Sequence, residues 1–89
     1  MNAIAEQHFA IEIADLVAAA TEGTISAELA RSGGTFAEHG MTSLSFLRLI
    51  DSIEIKYGVE VDLETELDSM TTVSAIAAYL GERNVAPLV

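Results

Sequence analysis

The chain has 89 residues, 51% of them apolar, and its fourteen acidic side chains outnumber four basic ones to give a formal charge of −10. That length sustains one domain with a simple core, and such acidity repels nucleic acid and anionic membrane while attracting basic protein surfaces. Cysteine is absent, which excludes disulfides, thiolate metal sites and a native nucleophilic thiol; no apolar run approaches the ~18 residues of a membrane span, and Met1 to Ala20 lacks the Lys or Arg of a signal peptide, so the expected location is the cytoplasm.

In chain order, Phe9, Ile13, Leu16, Val17 and Ala20 recur at helical spacing with Glu6, Glu12 and Asp15 among the polar positions, predicting a helix from about Ala3 to Ala20 that Thr21-Glu22-Gly23 ends. A long connection follows, to Thr42. It holds one turn of helix at Ser26 to Ala30, then Ser32-Gly33-Gly34, with Ile25, Leu29 and Phe36 as its expected apolar anchors. Phe46, Leu49, Ile50, Ile53 and Tyr57 then form a core-facing stripe, predicting a helix over Ser43 to Tyr57 that Thr42 caps and Gly58 stops. Val59 to Asp68 alternates acidic with mostly apolar residues. With no second strand to pair with it, it reads as an extended lead-in and a short helix carrying Leu63 and Leu67 on one face. Thr71-Thr72 opens a last helix with Val73, Ile76, Ala77 and Leu80 inward and Gly81 as its stop. The expected fold is all-α: a four-helix bundle with a long first loop and a short third helix, a domain over 1–81 and a tail over 82–89.

Gly40-Met41-Thr42-Ser43-Leu44 sets one serine at the threshold of a helix, where backbone amides face outward and an anion is the natural guest. By itself such a serine is most often a cap or first-turn residue. The surrounding sequence, Phe36-Ala-Glu-His-Gly-Met-Thr-Ser-Leu, then Leu47-Arg-Leu-Ile-Asp-Ser-Ile-Glu-Ile-Lys-Tyr-Gly-Val and Met70-Thr-Thr-Val-Ser-Ala-Ile-Ala-Ala-Tyr-Leu, resembles the acyl and peptidyl carrier proteins. That family shows a G-x-D-S-L motif before a helix ending I-E-x-x-[FY]-G-[VI], and a T-V-x-x-[LI]-A element opening the last helix. All three occur here in order, covering about Ile4 to Leu80.

The resemblance implies that Ser43 accepts 4′-phosphopantetheine from coenzyme A through a phosphopantetheinyl transferase, and that the arm's thiol holds cargo as a thioester. It implies a carrier, not an enzyme. It assigns Met41 and Thr42, with the outward residues Leu44, Leu47, Arg48, Asp51 and Ile55, to partner docking. The implied partners are the transferase, an acyl- or aminoacyl-loading enzyme, and an acyltransferase, ketosynthase or condensation enzyme, met by a monomeric, stand-alone carrier. Two positions depart from the pattern. Thr42 stands where the family has Asp, and Arg48 lies on a face that is often acidic in carriers of fatty-acid synthesis, where it is expected to select a dedicated partner. Both lean towards polyketide or nonribosomal-peptide metabolism, including antibiotic biosynthesis, over fatty-acid synthesis or cell-envelope aminoacyl transfer.

Other readings fit the residues less well. An acidic helical adaptor without cargo is the rival from another class. Glu60 to Asp68 lacks the ligand order of a calcium loop, and two histidines without cysteine make no transition-metal site. His39 and Glu38 lie near Ser43, but the motif is not G-x-S-x-G, which argues against a hydrolase.

Overall fold

In the computed structural model, which describes residues 3–88, the chain forms α1 (Ala3–Ala20), α2 (Ala27–Arg31), α3 (Ser43–Tyr57), α4 (Leu63–Glu66) continued by a 3-10 turn (Leu67–Met70), and α5 (Val73–Glu82). No strand occurs among the described residues. This is the expected all-α arrangement, with α1, α3 and α5 as the long members, α4 and its turn as the short one, and α2 inside the long first connection. α1 is the common neighbour, packing against α2, α3 and α5.

Phe9, Ile13 and Val17 recur every fourth residue on α1 and are fully buried, as the apolar period requires. The helix closes where Gly23 N–H donates to Ala18 carbonyl at 2.9 Å and Glu22 N–H to Ala19 carbonyl at 3.2 Å. These two hydrogen bonds are the pair that closes a helix whose first outer residue is left-handed. That residue is Glu22, with φ 52°. Thr21 turns the chain inward: its buried hydroxyl donates to Val17 carbonyl at 2.9 Å and accepts from Ile25 N–H at 3.1 Å. Ile25 and Phe36 are buried as anchors of the connection, whereas Leu29 is not. It is exposed because the short α2 turns Ala30 to the core and Leu29 outward.

α3 begins on the side chain of Thr42, which accepts from Ser45 N–H at 3.1 Å, and stops at Gly58, whose φ of 67° a side chain would strain. Leu49, Ile50, Ile53 and Tyr57 are buried, and Phe46 is half-buried, packing against the core while also lining a groove beside the first turn of α3. α5 begins on Thr72, which accepts from Ala75 N–H at 2.9 Å, and buries Val73, Ile76, Ala77 and Leu80 as expected, with Tyr79 in addition. Gly81 does not stop it. The helix runs on to Glu82, and Asn84 takes the left-handed conformation at φ 58°, letting Val85 N–H reach Leu80 carbonyl at 3.1 Å and Asn84 N–H reach Gly81 carbonyl at 3.1 Å. Val85 packs on the core behind it.

One carboxylate ties three parts of the chain together. Glu12 Oε1 accepts from the Tyr57 hydroxyl at 2.8 Å and from Leu88 N–H at 3.1 Å, while the Phe9 and Tyr57 rings meet edge-on at 5.9 Å. Burial, then the hydrogen bond to Glu12 and its negative charge, push the Tyr57 hydroxyl well above the ordinary tyrosine range.

Replacing Thr21 by Val keeps the shape but leaves the buried Ile25 N–H unpaired; a loss of about 1–3 kcal/mol is expected in urea denaturation. The raised Tyr57 value also fixes a pH dependence. The unfolded phenol ionises near pH ~10 while the folded one keeps its proton, so this contribution is complete below that pH and lost as pH rises through the folded value. Alkaline denaturation should therefore show a steeper fall in stability for the wild type than for Tyr57→Phe.

Candidate functional site

The segment before α3 is shaped by its own hydrogen bonds. Residues 36–40 turn back on themselves, with Gly40 N–H on Ala37 carbonyl and Met41 N–H on Phe36 carbonyl, both at 3.0 Å. Gly40 sits at φ 92°, a conformation open to glycine at little cost, and passes the chain to an extended Thr42. Ser43 is then the first residue of α3 and is exposed. Among the described residues nothing hydrogen-bonds its hydroxyl, and the N–H groups of Ser43 and Leu44 have no protein acceptor, while Ser45 N–H is taken by Thr42. Two open amides at the positive end of a fifteen-residue helix attract negative charge.

Beside this serine lies a groove of about 440 Å³. Its apolar walls are Phe36 and Met41 from the connection, Phe46 and Leu47 from α3, and Leu67 from the 3-10 turn, and Ser43 borders it. The outer wall is fastened across the fold by Phe36 N–H, which donates to Thr71 carbonyl at 2.9 Å. Within the same wall Glu38 Oε1 accepts from Thr35 N–H at 3.0 Å and the Thr35 hydroxyl at 2.9 Å. Those bonds, the backbone one foremost, hold the Glu38 carboxyl below its usual range. His39 Nε2 donates to Gly33 carbonyl at 2.7 Å. Glu38 and His39, a few residues before Ser43 in sequence, are thus occupied with shaping the loop. Among the described residues, no three acidic or histidine side chains gather to hold a metal ion.

The expected docking residues lie largely together on the outward side of α3. Leu44 is 60% exposed, Leu47 55% and Ile55 76%, with Arg48 and Asp51 exposed among them. Met41 is half-buried in the groove wall, and the Thr42 side chain is committed to the helix cap. Arg48 Nη1 meets Glu22 Oε1 at 3.2 Å, across from the turn that closes α1. Sequence periodicity does not reveal Glu22 or Thr71 as neighbours of this region, since both contacts join distant segments. Phe46, expected on the core side, packs against the core and also lines the groove, and Leu67, placed on one face of a short helix, lines it too. The isolated Phe36 in a polar connection is the available sign that the loop is pinned.

The profile of the phosphopantetheine attachment site family matches residues 12–80. The chain belongs to that family of carrier proteins. An acyl carrier protein of Streptomyces coelicolor is 35% identical over 82 residues, 92% of this chain and 88% of that one. No solved structure matches the chain at a significant level. Membership makes this carrier a non-catalytic protein and implies a 4′-phosphopantetheine prosthetic group. The helix start fits such a group: an open hydroxyl for a phosphodiester, unpaired amides for its charge, and an apolar groove alongside. Among the described residues, no helix is long and apolar enough to cross a membrane.

The position before Ser43 can be tested apart from function. Thr42→Ala removes the cap and should cost about 1 kcal/mol in thermal unfolding, whereas Thr42→Asp keeps an acceptor and adds favourable charge at the helix start, so it should melt at or slightly above the wild-type temperature.

Proposed function

We propose that Ser43 is the residue to which 4′-phosphopantetheine is attached. In that step Ser43 Oγ forms the new bond to phosphorus as the pyrophosphate bond of coenzyme A breaks; the adenosine bisphosphate leaves and the hydroxyl proton passes to the transferase. The arm then supplies a terminal thiol on which cargo is held as a thioester. The observation that carries this reading is the exposed, unpartnered hydroxyl of Ser43 on the first residue of α3, beside open amides and an apolar groove. The protein has no cysteine, so it offers no thiol of its own to compete for a thioester.

Met41 and Thr42 at the helix start and Leu44, Leu47, Arg48, Asp51 and Ile55 on α3 form the surface that partners meet. Those partners are the transferase, a loading enzyme for acyl or aminoacyl groups, and an acyltransferase, ketosynthase or condensation enzyme. Residues 1–81 are the carrier unit and 82–89 a tail that folds back on it through Val85 and Leu88. Thr42 and Arg48 favour specialised metabolism of the polyketide or nonribosomal-peptide type, carried out in the cytoplasm.

Incubation with coenzyme A and a broad-specificity phosphopantetheinyl transferase, followed by intact-mass measurement, tests the reading. The wild type should gain one phosphopantetheine and Ser43→Ala none, with unchanged circular dichroism. A wild type that stays unmodified, or an Ala variant that gains the group equally, would contradict it and favour an adaptor without cargo.

A further inference from the structure

Between α3 and α5 the chain is slung from two apolar supports. Val59, Val61 and Leu63 pack on the core at one end, and Met70 is fully buried at the other. Residues 64–68 between them bury no apolar side chain. Glu64, Thr65, Leu67 and Asp68 are exposed, and Leu67 is the wall that this stretch gives to the groove beside Ser43. A segment with so little apolar contact of its own is the kind that opens most readily in a folded domain.

One side chain ties it down. Glu66 Oε1 accepts from Asp62 N–H at 2.8 Å and from the Tyr79 hydroxyl at 3.2 Å, and Glu66 Oε2 accepts from Arg83 Nη2. Tyr79 is buried on α5, and its hydroxyl also donates to the Glu60 carbonyl at 3.1 Å. The Arg83 guanidinium lies 3.7 Å from the centre of the Tyr79 ring, a cation over an aromatic face that fixes where its charge stands. Three donors, one from the lead-in to α4 and two from α5 and its C-cap, thus converge on one carboxylate in the residue next to Leu67. The Glu66 side chain is 21% exposed, against 52% and 80% for the two members of the Arg48–Glu22 pair, so solvent screens its charge far less.

We infer that Glu66 is a positioning residue for the group carried on Ser43: its bonds to Arg83 and Tyr79 are a latch that holds Leu67 in the groove wall. Breaking the latch lets residues 64–68 swing outward and uncovers the space beside Ser43. The groove is then a two-state element, closed by an ion pair and opened at little cost in folding, because the supports at 59–63 and at Met70 stay in place. The inference rests on Ser43 being the attachment residue.

The chain has no cysteine, so the terminal thiol of an attached phosphopantetheine is the sole thiol, and its rate of alkylation by iodoacetamide reports how far the groove covers it. Glu66→Gln and Arg83→Gln should each raise that rate about threefold, the population change that one ion pair can impose. Glu64→Gln, which removes the same charge one turn away from the latch, should leave it at the wild-type value. The two latch substitutions change the protein's charge in opposite directions. An effect on thiol ionisation alone would therefore quicken one and slow the other, whereas an opened groove quickens both. Raised salt should speed alkylation of the wild type more than that of Glu66→Gln. In the unmodified protein, amide exchange at Glu66, whose N–H donates to the Asp62 carbonyl at 2.7 Å, should quicken in both latch variants and stay unchanged at the buried Ile53.

An alkylation rate that is unchanged or lowered in either latch variant, a rise of equal size in Glu64→Gln, equal salt sensitivity of the wild type and Glu66→Gln, or exchange that quickens as much at Ile53 as at Glu66 would each overturn the latch and leave the attachment at Ser43 standing. A wild type that gains no phosphopantetheine removes both.

Discussion

The connection from Thr21 to Thr42 is long for so small a domain, and it is ordered because Phe36 is fastened from both sides. Its ring is buried in the core, and its amide donates to the Thr71 carbonyl just ahead of α5. The first contact supplies apolar burial, and the second satisfies backbone that would otherwise cross the surface unpaired. Everything at the helix start depends on this point. With Phe36 held, Met41 N–H returns to its carbonyl, Gly40 makes the bend, and Thr42 arrives extended, ready to cap α3. The same fastening forms the outer wall of the groove, so the position of Ser43 and the shape of the space beside it have one cause.

High acidity is accommodated by giving many of the carboxylates a structural partner. Glu12 joins α1 to Tyr57 and to Leu88, Glu54 accepts the Val61 amide, and Glu38 closes the groove loop. Glu66 accepts from Asp62 N–H and pairs with Arg83, whose guanidinium also lies over the Tyr79 ring. Asp62 caps α4. The acidic run over 60–68 is therefore partly a scaffold for the short helix and partly an exposed rim. This division leaves α3, the element that begins with Ser43, without net charge and with Leu44, Leu47 and Ile55 exposed among its charged residues.

Much of this fold is legible in the sequence because its long helices carry local signals. The spacing of Phe9, Ile13 and Val17, the Thr42 and Thr72 caps and the left-handed Gly58 each act within a turn or two of chain, and they match the bounds of α1, α3 and α5 closely. The mismatches arise where a local signal competes with a distant one. Gly81 looks like a stop, yet Val85 has a core site to fill, and the helix extends until Asn84 can turn the chain towards it. Leu29 looks like an anchor, but in so short a helix Ala30 takes the inward position. Phe46 packs on the core as its spacing requires, but its second role, in the groove with Leu67, depends on the path of the 35–41 segment. The pairs Arg48 with Glu22 and Phe36 with Thr71 join segments that no periodicity relates. At the candidate site, Ser43 is visible from its motif, while the groove that adjoins it belongs to tertiary structure.

On the proposed reading, the start of α3 and the adjoining groove together receive a group attached to Ser43. Amide resonances recorded before and after enzymatic attachment of 4′-phosphopantetheine test it most directly. Large shifts are expected at Ser43 and Leu44, whose open N–H groups lie beside the attachment point, and smaller ones along the groove at Phe36, Met41, Leu67 and Thr71. Shifts absent from Ser43 and Leu44, or centred elsewhere on the molecule, would contradict it.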